Sequence, residues 1–212
     1  MDTNRRVAGA GLLVYAVGTF AGFAAAGAPG GDYSDSLVRT YIASSHWPTA
    51  FALSYVGAIG VLGLLVFGSR MRASLGSFGD LLWGLTLAGT ATSVVGWFLT
   101  GGVAVSMAEG GHQVQVGVPH PVIYTLTEVG NLLAVCSPAF FIGVAAIVLA
   151  VKGGLPGWLR GFSVIAGACG ILAPFFFTYF VFVLWTLTFS VWAIATGRRT
   201  GAAAAPVQAS LV

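Results

Sequence analysis

The chain has 212 residues, of which 57% are hydrophobic and only 7% are charged, and its mean hydropathy is +0.92. A soluble domain has about 25% charged residues, so these few charges could not cover a soluble fold. The net charge of +3 is scattered, with no basic run longer than two residues, which excludes a nucleic-acid-binding surface. The composition therefore predicts a membrane protein, and the 31 glycines are typical of helices that pack closely in lipid.

Six apolar segments follow one another along the chain, each near the ~20 residues that cross a bilayer as a helix. They lie at about 7–27, 48–68, 81–104, 122–151, 158–173 and 176–196. The predicted fold class is all-α, a polytopic transmembrane helical bundle with six spans in a single domain over residues 1–199. The remaining residues, 200–212, are small and uncharged, and we expect a mobile cytoplasmic tail.

The first span is longer than the ~7–15 residues of a signal-peptide core, so we expect it to be retained as a helix. Its Gly18-x-x-x-Gly22 motif predicts a face that packs closely against another helix. Beyond this span, apolar side chains recur at helical spacing in the stretch DYSDSLVRTYIASSHWP. That pattern predicts a short amphipathic helix over about 33–46 that lies on the outer membrane surface.

The last two segments form one uninterrupted apolar run from Trp158 to Thr196. As a single straight helix this run would measure roughly 58 Å at 1.5 Å per residue, about twice the hydrocarbon core. Pro174 lies near its middle, where proline can break a helix. We therefore predict two spans joined by a tight turn around 173–176, and the alternative is five spans with one long kinked helix.

The positions of the basic residues distinguish these two topologies. With six spans, eight of the nine basic residues fall on the side of both termini, and only Arg39 falls on the other. The eight are Arg5, Arg6, Arg70, Arg72, Lys152, Arg160, Arg198 and Arg199. Basic residues concentrate on the cytoplasmic face of membrane proteins, so we expect a multi-pass protein of the cell membrane with both termini in the cytoplasm.

Sequence motifs of catalysis and nucleotide binding are missing, since the chain contains no GxSxG, HExxH, GxxxxGK[ST] or GxGxxG pattern. An enzyme is therefore disfavoured, and no cofactor is expected. Cys136 and Cys169 lie inside apolar segments without metal-binding or redox spacing. We interpret both as buried small hydrophobic residues.

The three histidines, His46, His112 and His120, would all lie on the outer side, with His112 and His120 in a loop. Imidazole suits zinc or copper, so a metal site on the outer face is one hypothesis. Histidine also titrates near neutral pH, so a pH-responsive face is another, and acid–base chemistry on a lipid is a third. Their spacing is not diagnostic of a metal, and solvated loop residues are the favoured interpretation.

Polar side chains share a helix face on two of the predicted spans. They are Thr86, Thr90 and Ser93 with Trp97 on the third span, and Tyr15 with Thr19 on the first. We interpret their hydroxyls as donors of hydrogen bonds to neighbouring helices and to the backbone of their own helix. The alternative is that the stripe on the third span lines a polar cavity.

Glu128 is the only acidic residue inside a predicted span, and Tyr124 and Asn131 share its helix face. An ionisable residue in a span is by default a candidate functional site. A helix that starts from Lys152 at the cytoplasmic boundary and tilts by ~20° places Glu128 about 34 Å away, beyond a hydrocarbon core of ~30 Å. Glu128 is therefore expected near the outer boundary, although Pro138 permits a bend.

Two interpretations of Glu128 follow from this depth. A capping or rim carboxylate is the favoured one. The sharper alternative is a proton- or cation-binding site in an outward-facing cavity. The candidate ligands of that site are Glu128, Asn131, Tyr124, Thr90 and Ser93.

Four short stretches set the layout of the chain: DYSDSLVRTYIASSHWP after the first span, the basic inner loop GSRMRASLG, GLPGWLRG before the final helix pair, and the closing GRR. In this layout the chain resembles a family of six-span actinobacterial membrane proteins defined as a domain of unknown function. The resemblance implies an integral membrane protein of this topology. It implies no activity and no functional residues.

Two functions of different classes are compatible with the sequence. In the first, the protein is a small transporter or permeation unit with an outward-facing polar cavity. In the second, it is a non-catalytic membrane subunit or sensor that binds a partner through its outer helix and loops. The expected partners are the lipid bilayer, a small-molecule or ion substrate, and further copies of the chain or a larger membrane complex.

Overall fold

The computed structural model describes residues 2–26, 36, 46–117, 119–175 and 177–203. Within these residues the chain forms eight α-helices, one π-helical segment and one 3-10 turn, and no β-strand. In chain order they are α1 (Asp2–Ala26), α2 (Trp47–Val61), α3 (Gly63–Arg72), α4 (Ser77–Gly117), α5 (His120–Asn131), the π segment (Leu132–Cys136), α6 (Ser137–Lys152), α7 (Gly157–Ile171), the 3-10 turn (Ala173–Phe175) and α8 (Phe177–Ala203). The predicted all-α fold class is confirmed.

Five stretches of helix are long and apolar enough to cross a membrane. They are Thr3–Phe23, Trp47–Arg72, Ser77–Gly110, Pro121–Lys152 and Phe177–Thr196. The sixth predicted span corresponds to the shorter apolar helix α7, which has 15 residues. Helices satisfy their own backbone hydrogen bonds, as a segment in lipid must, so the chain is a multi-pass helical membrane protein.

Each helix packs against its neighbours in the chain, and the last helix closes onto the first. Helix α1 contacts α2, α3 and α8, while α4 contacts α2, α3, α5 and α6, and α7 contacts α6 and α8. The bundle is therefore a closed ring of sequential neighbours. The π segment also contacts α1 across this ring, which places it next to the bundle interior.

Basic residues mark one end of the bundle. Arg5 lies 5.1 Å from the ring centroid of Trp192, so the start of α1 lies beside the last turns of α8. Lys152 lies 4.9 Å from the ring centroid of Phe78, which brings the end of α6 beside the start of α4. We call this end the basic end and the half of the bundle next to it the basic half. The far end is the opposite one, where α4 ends and α5 begins.

Two short turns at the basic end contain glycines with a left-handed backbone. Gly76, with φ of 55°, lies between α3 and α4, and Gly154, with φ of 61°, lies between α6 and α7. A side chain with a Cβ is disfavoured in this conformation. Arg72 and Asp80 close the first turn with an exposed ion pair at 2.6 Å, which contributes only ~0–1 kcal/mol.

Close glycine contacts hold α1 against α2. A Cβ added to Gly18 would lie 2.7 Å from the Cα of Gly60, and one added to Gly22 would meet the ring of Trp97. Lipid provides no hydrophobic force between helices, so small residues that let two backbones approach supply much of the packing. The close-packing face that Gly18 and Gly22 predict is confirmed.

The core of the basic half is aromatic. Along α8, the ring centroids of Phe182 and Trp185 are 6.1 Å apart and those of Trp185 and Phe189 are 5.3 Å apart. Phe67 of α3 meets Phe189 edge-on at 6.0 Å. The indole nitrogen of Trp185 donates a buried hydrogen bond of 2.8 Å to the Ser163 hydroxyl of α7. The polar atom in this aromatic layer is therefore satisfied by a neighbouring helix.

The third predicted span is too short. Helix α4 continues to Gly117, beyond the predicted end at 104, so His112 lies in a helix where a loop was predicted. A glycine pair in this segment disfavours a helix by propensity, but tertiary packing overrides propensity. Met107 is buried in a cluster with Ile123 and Tyr124 of α5, and this contact supports the extension of α4.

The other boundaries differ less from those predicted. The second span is divided at Leu62, the fourth contains the π segment, and the tight turn predicted around 173–176 is confirmed as a 3-10 turn. Helix α8 continues to Ala203, into the predicted tail. The predicted outer helix over 33–46 lies outside the described residues apart from 36 and 46, and so do residues 204–212 of the tail.

Candidate functional site

The fourth span changes helix type at the π segment, just before Pro138. Proline has no backbone N–H, so the carbonyl of Ala134, four residues earlier, lacks its usual α-helical donor. The hydroxyl of Ser93 on α4 takes this role and donates a hydrogen bond of 2.6 Å to the Ala134 carbonyl. The bend that Pro138 permits is thus a π segment stabilised by a neighbouring helix. Such segments are frequent at functional sites.

Glu128 is half-buried on α5, about two turns from the start of that helix at the far end. The Tyr124 hydroxyl, one turn earlier, donates a hydrogen bond to its carboxylate, and Tyr124 is only 4% exposed. Glu128 also lies close enough to Cys136 of the π segment to interact with it electrostatically. The carboxylate therefore lies partly inside the bundle. Arg39, the one basic residue predicted on the outer side, lies outside the described residues.

The hydroxyl stripe of α4 is confirmed as a set of packing hydrogen bonds. Thr86 and Thr90 donate to carbonyls one turn earlier in their own helix, at 2.8 Å and 2.7 Å. Ser93 instead bonds across to the π segment at 2.6 Å. The Thr90 and Ser93 hydroxyls already donate hydrogen bonds to backbone carbonyls. These two candidate ligands therefore stabilise the helices, and their protons are not available to a substrate.

Four buried polar atoms inside the spans have no hydrogen-bond partner among the residues that the structure describes. They are the hydroxyls of Tyr15 and Thr19, the indole nitrogen of Trp97 and the side-chain oxygen of Asn131. These residues are 2%, 1%, 1% and 7% exposed. We call them the interior cluster. Buried polar atoms are nearly always hydrogen-bonded, so this cluster differs from ordinary helix packing.

Sequence reasoning identified only one member of the interior cluster, Asn131, as a site residue. Tyr15, Thr19 and Trp97 stand out in the sequence as polar or amphipathic side chains in apolar spans. Within the described residues, the prediction that the Tyr15 and Thr19 hydroxyls donate hydrogen bonds to neighbouring helices or to their own backbone is wrong. The signal that singles them out is the missing partner. That signal appears only when the rotation of each helix is known.

A groove of about 420 Å³ lies between α4 and α5 near the far end. Its walls are mainly apolar and include Phe98, Val103, Ile123 and Leu126. None of the five candidate ligands of the Glu128 site lines this groove. It is therefore not the polar cavity expected from the sequence.

The histidines give no metal site in the described part of the chain. His46 precedes α2 and its ring lies 4.3 Å from that of Trp47, and burial lowers the pKa of His46. The side chains of His112 and His120 fall outside the described part of the structure. Among the described residues, no three or more His, Cys, Asp and Glu side chains are grouped to hold a metal. The metal hypothesis therefore stays a prediction.

The fold and this site define a class, a multi-pass helical membrane protein with a half-buried carboxylate in its fourth span. No protein-family model matches the chain, and no curated protein and no solved structure is significantly similar to it. The resemblance to the actinobacterial six-span family therefore stays a prediction.

Proposed function

We propose that the protein is a small transporter or permeation unit, in which Glu128 binds a proton or a cation at the entrance to a polar interior. The observation that carries this proposal is a half-buried carboxylate within a span, held by the Tyr124 hydroxyl. A charged side chain in a span is costly, up to about 2.5–3.5 kcal/mol at its centre on insertion scales, and Glu128, nearer the far end, carries part of this cost. Side chains that carry such a cost in membrane proteins commonly mark an ion or substrate pathway.

The relative burial of Glu128 and Asn131 supports an entrance that leads inwards. Asn131 lies three residues after Glu128, towards the π segment, and is more deeply buried. A molecule that enters from the far end would therefore pass the carboxylate first and reach the interior cluster second. The aromatic layer of Phe67, Trp185 and Phe189 lies beyond them in the basic half, where it would act as the closed side of the pathway.

The proposed orientation places the basic end in the cytoplasm. Arg5, Arg72, Lys152 and Arg160 all lie at helix ends or in turns on that side of the bundle, as the positive-inside rule requires of a cytoplasmic face. Both chain termini are then cytoplasmic, the membrane is the cell membrane, and the entrance at Glu128 opens to the outside.

The test is proton movement into proteoliposomes that contain a pH-sensitive dye and face an imposed pH gradient. We expect Glu128→Gln to reduce the protein-dependent flux by about tenfold or more, because the amide keeps the shape of the side chain but binds no proton. Glu109→Gln is the matched control, since Glu109 is exposed on α4 and should leave the flux unchanged. Equal flux for wild type and Glu128→Gln would remove the central residue of the proposal.

A further inference from the structure

The polar atoms of the interior cluster come from three helices, and contacts of neighbouring residues bring these helices together. Tyr15 and Thr19 lie one turn apart on α1, and the ring of Trp97 on α4 lies against Gly22, the next turn of α1. Trp97 also lies against Gly57 of α2. The indole is therefore wedged between α1 and α2, beside the turn of α1 that follows Thr19.

Asn131 approaches the same place from the fourth span. It immediately precedes the π segment, and Val135, one turn later, is buried in a cluster with Trp97. Tyr179 of α8 packs against this cluster and also against the larger core that contains Tyr15. Tyr15 also lies near both Tyr179 and Cys136. The four residues therefore lie on the elements that meet where the π segment contacts α1.

The chemistry of the four atoms defines what could satisfy them. The Trp97 nitrogen can only donate a hydrogen bond, and the Asn131 oxygen can only accept one. The Tyr15 and Thr19 hydroxyls can do both. An occupant that satisfies all four must therefore both accept and donate hydrogen bonds.

The charge of the occupant follows from the same side chains. None of the four groups is charged, and the nearest carboxylate in the fourth span, Glu128, is already held by Tyr124. An ion transferred into this place would lose its water and gain no counter-charge, which is strongly unfavourable in an apolar interior. A neutral molecule avoids the free-energy cost of moving a charge out of water.

We infer that Tyr15, Thr19, Trp97 and Asn131 border one internal site that binds a small uncharged molecule able to donate and accept hydrogen bonds. Ordered water and a small hydroxylated or amide solute share this chemistry. The path by which the molecule enters rests on the proposed function, whereas its binding at the interior cluster does not. In combination, Glu128 carries the proton and the interior cluster carries the neutral solute.

The first experiment measures thermal unfolding of the full chain in detergent and compares two isosteric substitutions. Thr19→Val removes a hydroxyl of the interior cluster, and Thr186→Val removes an equally buried hydroxyl that donates 2.7 Å to the carbonyl of Val183. If the site is occupied, Thr19→Val lowers the unfolding temperature by more than Thr186→Val does. If the cluster is dry, Thr19→Val raises the unfolding temperature, because an unsatisfied buried group has been removed, and the inference is overturned.

The second experiment measures permeability by stopped-flow light scattering of proteoliposomes, with water, glycerol and sodium ions as separate probes. Glycerol flux that falls about tenfold in Thr19→Val but not in Thr186→Val supports a solute site, and a loss confined to water flux assigns the site to water. Sodium flux that falls in Thr19→Val, with water and glycerol unaffected, would overturn the uncharged occupant. Tyr15→Phe replaces Thr19→Val if that variant does not fold.

These measurements separate the inference from the proposed function. Failure of Glu128→Gln to change proton movement refutes the role of Glu128 while the Thr19 and Thr186 comparison still stands. Conversely, a dry interior cluster with proton movement that depends on Glu128 refutes the neutral site and leaves the proposed function intact.

Discussion

Buried polar groups are hydrogen-bonded in the basic half of the bundle and unpartnered in the interior cluster. In the basic half, the Trp185 nitrogen donates to Ser163, and Ser190 donates 2.6 Å to a carbonyl of its own helix. In the interior cluster, by contrast, Trp97 and Asn131 have no such partner among the described residues. The two tryptophans are equally buried, so burial alone does not explain the difference.

The hydrogen-bonded polar groups of the basic half stabilise the fold, whereas the unpartnered groups of the interior cluster destabilise it. A pair such as Trp185 and Ser163 contributes about 1 kcal/mol net, whereas an unsatisfied buried polar atom costs about 1–3 kcal/mol. A chain selected only for stability would replace Thr19 with valine at no cost in shape. Natural proteins retain such unfavourable features mainly at functional sites.

The largest expected effect comes from the packing of the basic half. A Cβ added to Gly143 of α6 would lie 2.6 Å from the carbonyl oxygen of Gly167 on α7, so Gly143→Val must push two backbones apart. We expect a loss of about 3 kcal/mol in the free energy of unfolding, at the upper end for overpacking. Chemical unfolding in mixed micelles measures it.

The control for this substitution is Gly84→Ala on α4, since a Cβ there meets nothing within 4 Å. It should be neutral or gain up to about 1 kcal/mol from helix propensity. Equal stability of both variants would show that the basic half is not tightly packed, and the comparison with the interior cluster would lose its reference.

A smaller effect is expected from removing the hydrogen-bond acceptor of the buried Trp185 indole. Ser163→Ala leaves the Trp185 nitrogen buried without its acceptor, which should cost about 1–3 kcal/mol of unfolding free energy. Ser106→Ala is the control, because Ser106 is exposed and bonds only to a carbonyl of its own helix. If Ser163→Ala leaves the free energy of unfolding unchanged, this bundle tolerates a buried indole without an acceptor. The missing partner of Trp97 would then not distinguish the interior cluster.

The smallest effect concerns pH at the far end. Burial lowers the pKa of His46 from its ordinary value of 6.5, so the unfolded chain binds a proton there more readily than the folded one. Stability from this residue is therefore complete above about pH 6.5 and declines as the pH falls to the lower folded pKa.

His46→Gln should flatten the part of the pH dependence that comes from this group. Thermal unfolding of both proteins between pH 5 and pH 8 measures the difference. A charged His46 would also lie at the start of α2, where a positive charge opposes the helix dipole. Burial and the helix dipole therefore both make protonation of His46 destabilising. Parallel curves for the two proteins would contradict this prediction.

Much of the fold could be predicted from the sequence because it depends on local signals. Apolar runs of the right length predict the spans, Pro174 predicts the turn of the final hairpin, and Gly18 with Gly22 predicts close packing. The extension of α4 could not be predicted, because it depends on the contact of Met107 with α5. The sequence between 105 and 117 favours a loop when it is considered alone.

The candidate site was harder to predict for the same reason. Glu128 and Tyr124 share a helix face, so their pairing follows from spacing alone. The donation from Ser93 to Ala134 joins residues 41 positions apart, and no local pattern indicates it. The interior cluster depends on the rotation of α1, α4 and the fourth span together. A single sequence contains no signal for that rotation.

The short helix α7 has a consequence for the lipid around the protein. Its 15 residues cover about 22 Å, against a hydrocarbon thickness of ~30 Å. At the tip that follows, Phe175 and Phe177 are 72% and 84% exposed, and the Thr178 hydroxyl donates to the Leu172 carbonyl at 2.5 Å. An apolar tip with a satisfied carbonyl belongs below the headgroups. Beside α7 we therefore expect a thinner bilayer, at a cost of fractions of a kcal/mol per Å of hydrophobic mismatch, and an enrichment of lipids with shorter acyl chains at this side.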